Sequence, residues 1–131
     1  MLEHIGPVDS KEGRRRRFLV SSLAFVVFLA GYLLYEFRNY PEERQARHFF
    51  EALQQQDFQE AYRIWQPGDA YTFKDFMEDW GPNGLQGPVR RFRITGSTAR
   101  GSGVVVRVRV NRRLGISLWV EKKDKSLSFP P

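Results

Sequence analysis

The chain has 131 residues, with 21 Lys+Arg against 15 Asp+Glu, two His and no Cys, and is 41% hydrophobic and 15% aromatic. That allows one small domain and excludes a disulfide scaffold, a thiolate metal site and a cysteine nucleophile. Mean hydropathy of −0.50 describes a polar chain on average, yet one uninterrupted apolar block stands inside it.

Residues 18–35 read FLVSSLAFVVFLAGYLLY, 18 residues without a charge between Arg17 and Glu36. At ~1.5 Å per residue such a helix is ~27 Å long, close to the ~30 Å hydrocarbon core of a bilayer. One transmembrane helix is expected, with Tyr32 and Tyr35 near its outer end, where aromatic rings favour the interface. A buried core helix is a poor alternative, because about 90 further residues do not surround a helix that is apolar on every side. Arg14, Arg15, Arg16 and Arg17 abut the span on its amino side, so the positive-inside rule places residues 1–17 in the cytoplasm as a basic tail. Residues 36–41 then form a linker and residues 42–131 an extracytoplasmic domain. A secretory signal has the same pattern, but this run is long for an h-region and lacks a pair of small residues for cleavage, so an uncleaved signal anchor is expected.

Beyond Pro41, Glu42 and Glu43, which suit a helix start, three segments share the apolar spacing i, i+3, i+4, i+7. They are Ala46, Phe49, Phe50, Leu53; Phe58, Ala61, Tyr62, Trp65; and Phe73, Phe76, Met77, Trp80. Each marks one stripe of an amphipathic helix, predicted near 41–55, 57–66 and 72–80. Asp57 with Glu60 and Thr72 with Asp75 have capping-box spacing, and Pro67-Gly68 and Gly81-Pro82 supply stops. Residues 81–87 read as a flexible connector. The period then changes to two: Phe92 and Ile94; Val104, Val106, Val108 and Val110; Leu114, Ile116, Leu118 and Val120; and a short last strand at Leu127 and Phe129. Helices followed by a meander of about four antiparallel strands predict an α+β domain with the helices on the apolar face.

The helical stretch ARHFFEALQQQDFQEAYRIW, the third helix ending FMEDWGPNG and the following meander resemble the nuclear-transport-factor-two-like superfamily, which includes ketosteroid-isomerase-like and SnoaL-like proteins. The similarity is strongest to its small membrane-anchored bacterial versions and covers most of residues 42–129, including Ala61-Tyr62 and Asp79-Trp80-Gly81. It implies a cone, helices wrapped on a curved sheet, and a pocket in some members. With the topology above it also implies a bacterial inner-membrane protein whose carboxy-terminal domain is periplasmic.

Enzymatic members of that superfamily use a pocket acid or base with a tyrosine donor. Here Asp57 and Asp75 serve helix starts, Asp69 sits in a Pro-Gly-Asp turn, and His48 falls on the solvent side of its helix, so no base converges on Tyr62 and a non-enzymatic protein is expected. Neither HxH, HExxH nor a carboxylate loop occurs, so no metal or cofactor is expected. Phe50, Tyr62, Trp65, Phe76 and Trp80 are candidates to line an apolar ligand pocket, though such residues more often fill a core. Residues 38–85 carry 5 Lys+Arg and 9 Asp+Glu, net −4, whereas residues 86–131 carry 11 and 2, net +9. The sheet layer is therefore basic. Pairing Phe92 with Val108 and Ile94 with Val106 sets Arg91 against Arg109 and Arg93 against Arg107 on the outer face, with Trp119 within cation–π reach of Arg107. These five residues are the candidates for an anionic partner, a protein or lipid head groups. An extracytoplasmic location argues against nucleic acid. The combined reading is a single-pass accessory subunit of a larger membrane assembly, with an apolar-ligand binder or cryptic enzyme as the alternative.

Overall fold

The computed structural model describes residues 10–113 and 115–131, in two units divided between Arg38 and Asn39. The first unit is helix α1, Ser10–Glu36, 27 residues long, on which Arg14, Arg15, Arg16 and Arg17 occupy the turns before the apolar run. Over Lys11–Glu36 it is long and apolar enough to cross a membrane, with a mean hydropathy of 2.2 in its most apolar window and none of that window buried. Phe18, Phe25, Phe28 and Leu34 are all exposed.

The second unit is α+β. Helices α2 (Tyr40–Gln54), α3 (Phe58–Trp65) and α4 (Phe73–Trp80) precede strands β1 (Phe92–Arg100), β2 (Gly103–Val110), β3 (Ile116–Glu121) and β4 (Leu127–Ser128). The strands form one open antiparallel sheet in the order β1-β2-β3-β4. Asn39 precedes α2, Pro41 sits in its first turn, and the predicted stripe Ala46, Phe49, Phe50, Leu53 is buried. Thr72 and Asp75 form a reciprocal capping box at α4. At α3 only half of the motif forms: Asp57 accepts from the Glu60 backbone N–H, while the Glu60 carboxylate turns to Arg63. The neighbouring guanidinium holds that carboxyl below its ordinary range, chiefly through this hydrogen bond.

Val104, Val106, Val108, Val110, Leu118 and Val120 put the inner face of the sheet into a core shared with Phe49, Phe50, Phe76 and Trp80. The register of the first hairpin differs from the expected one. Phe92 pairs with Val110, Arg93 with Arg109 and Ile94 with Val108, after which a bulge between Ile94 and Gly96 brings Gly96 opposite Arg107. Two features shift the pairing. The strands continue to Arg100 and Gly103, leaving a two-residue turn that Gly101 opens at φ +57°, the place where a two-residue hairpin takes glycine. The bulge also inserts an unpaired Thr95, which reverses the inward parity of the rest of β1. Ser97 consequently faces α2, where it meets Asn39 and Glu43. Of the expected third strand, Leu114 lies outside the described residues, as do residues 1–9 of the basic tail.

Residues 81–87 are not an open connector. Gly84 N–H donates to Gly81, Leu85 to Glu78, Gln86 to Asp79 and Gly87 to Gly84, closing the end of α4 with consecutive turns. A side chain at Gly84 would stand 2.7 Å from the Asp79 backbone, which is why glycine is needed there.

Candidate functional site

The five aromatic candidates lie together, and they fill the core. Phe50, Trp65, Phe76 and Trp80 are buried and Tyr62 is half-buried. Phe49 stands at their centre, with ring centroids 5.3 Å from Phe50, 5.1 Å from Trp65, 6.1 Å from Phe76 and 5.0 Å from Trp80. Phe129 stacks on Trp80 at 5.8 Å and leans on Trp65. Edge-to-face, tilted and stacked rings at these spacings are those of a packed interior. The Tyr62 hydroxyl donates to the Tyr71 carbonyl at 2.8 Å, and the Tyr71 hydroxyl donates to the Asp79 carboxylate. Burial, reinforced by that carboxylate, raises the pKa of the Tyr71 hydroxyl well above its ordinary value. Two tyrosines and an aspartate thus tie α3, α4 and the loop between them.

The groove beside α2 and α3 has a volume of about 370 Å³ and is lined by His48, Glu51, Asp57, Glu60 and neighbouring residues, none of them from the aromatic set. His48 is exposed. Among the described residues no three His, Asp or Glu side chains converge as metal ligands.

The basic candidates separate into two environments. Arg93 and Arg109 lie directly opposite each other on the outer face, both exposed. Arg107, expected against Arg93, instead folds over Gly96 and donates from Nη1 to Thr98 at 2.9 Å. Trp119 pairs with Val105, covers Gly103 so closely that a Cβ there would stand 2.3 Å from the ring, and donates to Glu121 at 3.0 Å. Its ring is thus occupied by Gly103 rather than by Arg107. The cation–π contact among the described residues is that of Arg38 with Tyr35.

Arg91, expected opposite Arg109, lies just before β1, and there the structure assembles a group that the strand alternation did not reveal. Asn111 leaves β2 with a left-handed backbone, φ +56°. Its side-chain oxygen accepts the backbone N–H groups of Arg90 at 2.8 Å and Arg91 at 3.1 Å, and its amide donates to the Pro88 carbonyl at 2.9 Å. Gln54, the last residue of α2, donates to the Arg90 carbonyl at 2.9 Å. The two segments so joined carry Arg90 and Arg91 on one side and Arg112 and Arg113 on the other. Together with Arg109 they line two adjoining clefts of about 490 and 530 Å³ that share Asn111, Arg112 and Arg113 and, among the described residues, have no carboxylate in their walls. The sequence did hold a signal for this, two Arg-Arg dipeptides, one at each end of the first hairpin.

Compared with models of known families, with curated proteins and with solved structures, the chain matches none. Its class is therefore defined by its own parts: a helix long enough to cross a membrane, followed by an α+β unit built on an open antiparallel sheet.

Proposed function

We propose that this protein is a non-enzymatic, single-pass interaction module of a bacterial inner membrane, an accessory subunit that holds a small folded domain near the periplasmic surface. One observation carries the reading: a helix with a fully exposed apolar surface ends at Glu36, and a separately folded unit begins at Asn39. So much apolar surface is not left in water without a function, and a bilayer is the environment its length fits. The arginine cluster before the apolar run supports an inward amino terminus. The bulge in β1 supports the curved, cone-like wrapping that the resemblance implies, since bulges bend a strand and increase its twist. In this reading the partner-facing surface is the basic sheet layer, and the aromatic cluster is its structural support.

The test is extraction of membranes at alkaline pH followed by amino-terminal analysis of the protein recovered. The reading requires a chain that stays in the pellet with residues 18–35 attached. A soluble product beginning after the apolar run would show a cleaved signal and refute the anchor.

A further inference from the structure

We propose that the arginine-lined cleft around Asn111 is a binding site for a phosphate-type oxyanion. This deepens the interaction reading by naming the chemistry of the partner group. Arg90, Arg91, Arg109, Arg112 and Arg113 line the two adjoining clefts, and among the described residues no acidic side chain joins them. Among the described residues, the ion pairs join Arg63 to Glu60 and Lys125 to Glu42, so none of these five guanidinium groups has one. Four arginines line one cleft and three the other, with Arg112 and Arg113 shared; like charges gathered in this way repel one another, and a bound anion relieves that repulsion.

The backbone beneath the charges is fixed in advance. Three Asn111 side-chain hydrogen bonds hold residues 88–91 against the end of β2, and the one from Gln54 ties them to α2, so binding need not order that segment. Gly87, at φ +66°, passes beside the Arg113 guanidinium, and a Cβ there would stand 3.3 Å from Nη1. Residue choice points the same way. All five cations are arginine, whereas the turn after β3 carries Lys122, Lys123 and Lys125. Guanidinium forks bind planar or tetrahedral oxyanions through paired hydrogen bonds, while lysine acts as a point charge. One carboxylate would neutralise a single charge of the five. A phosphate ester brings up to two charges and three terminal oxygens, and the paired clefts have room for more than one such group.

The site lies at the end of α2 remote from Asn39. Asn39 reaches Ser97, while Gln54 reaches Arg90, and the 15 residues of α2 between them extend about 22 Å. A free phosphate ester and a phospholipid head group present the same chemistry, and the experiment separates them. The full chain in non-ionic detergent is titrated with pyrophosphate by calorimetry. Saturable binding is expected, with affinity falling at least about ten-fold in Arg112→Gln/Arg113→Gln. Lys122→Gln/Lys123→Gln, which removes the same charge from another turn, should bind as the parent does. A pyrophosphate-dependent rise in Tm, present in the parent and lost in the arginine variant, reports the same event while verifying that the variant folds. In phosphatidylcholine vesicles containing phosphatidic acid, loss of pyrophosphate binding would identify head groups as the source, and unchanged binding would identify a soluble ester; both keep the site. Absence of saturable binding, equal weakening in the two double variants, or tighter binding of a hexaglutamate peptide than of pyrophosphate would overturn the proposal. None of these outcomes depends on whether the anchor is cleaved, so this inference and the membrane reading fail separately.

Discussion

The side-chain amide of Asn39 donates to the Ser97 hydroxyl at 3.2 Å, joining residues 58 apart in the chain. Ser97 in turn donates to Glu43, so the first turn of α2 is fastened to the far half of β1. Asn39 is 6% exposed, so water replaces its bond poorly. Asn39→Ala should therefore destabilise the folded unit by about 1–3 kcal/mol. Trp65, Trp80 and Trp119 all lie in that unit, and intrinsic fluorescence of the full chain during thermal unfolding reads the loss. For a domain of this size each kcal/mol corresponds to roughly 4–8 °C in Tm. An unchanged Tm would show that Glu43 alone secures Ser97.

Arg93 and Arg109 face each other across the first hairpin. Like charges in that relationship destabilise a sheet by up to about 1 kcal/mol, less as salt rises. Arg93→Thr should raise Tm in low salt, and the gain should shrink toward zero in high salt. The same substitution at Arg107, which lies opposite Gly96 and donates to Thr98, should give no salt-dependent gain. Equal gains at both positions would contradict this register.

That register marks the boundary of what the sequence disclosed. The three helices were legible because Phe49, Phe50, Trp65, Phe76 and Trp80 are large apolar residues at helical spacing, and burying them is the main driving force available. In β2 and β3 the valines and Leu118 fixed which face turns inward. After Ile94, by contrast, β1 reads Thr, Gly, Ser, Thr, Ala. Small and polar residues do not announce a face, so nothing in the pattern signalled that Thr95 is skipped and Ser97 points in. The arginine cleft was hidden for a related reason. Arg90 and Arg112 are brought together by one left-handed residue and its side-chain hydrogen bonds, a long-range consequence of a turn that strand alternation does not encode.

Tyr71 gives the second unit a specific response to alkali. Burial and the Asp79 carboxylate raise its pKa in the folded state, against about 10 in the unfolded chain. Above that pH the unfolded chain holds fewer protons than the folded one. Stability is thus fully present below pH ~10 and declines as pH rises toward the folded-state pKa. Tyr71→Phe should remove that part of the decline. Absorbance at 295 nm should show a late ionisation step in the parent that is missing from the variant. A variant with the parental alkaline profile would contradict the assignment.

Whether α1 crosses a membrane with its arginines inside is open to direct measurement, because the sequence holds no cysteine. Lys11→Cys, on the amino side of the arginine cluster, and Lys123→Cys, exposed in the turn after β3, are each treated with a membrane-impermeant maleimide in spheroplasts. Lys123→Cys should be labelled in intact spheroplasts and Lys11→Cys only after permeabilisation. Labelling of Lys11→Cys with protection of Lys123→Cys, or protection of both until lysis, would contradict that topology.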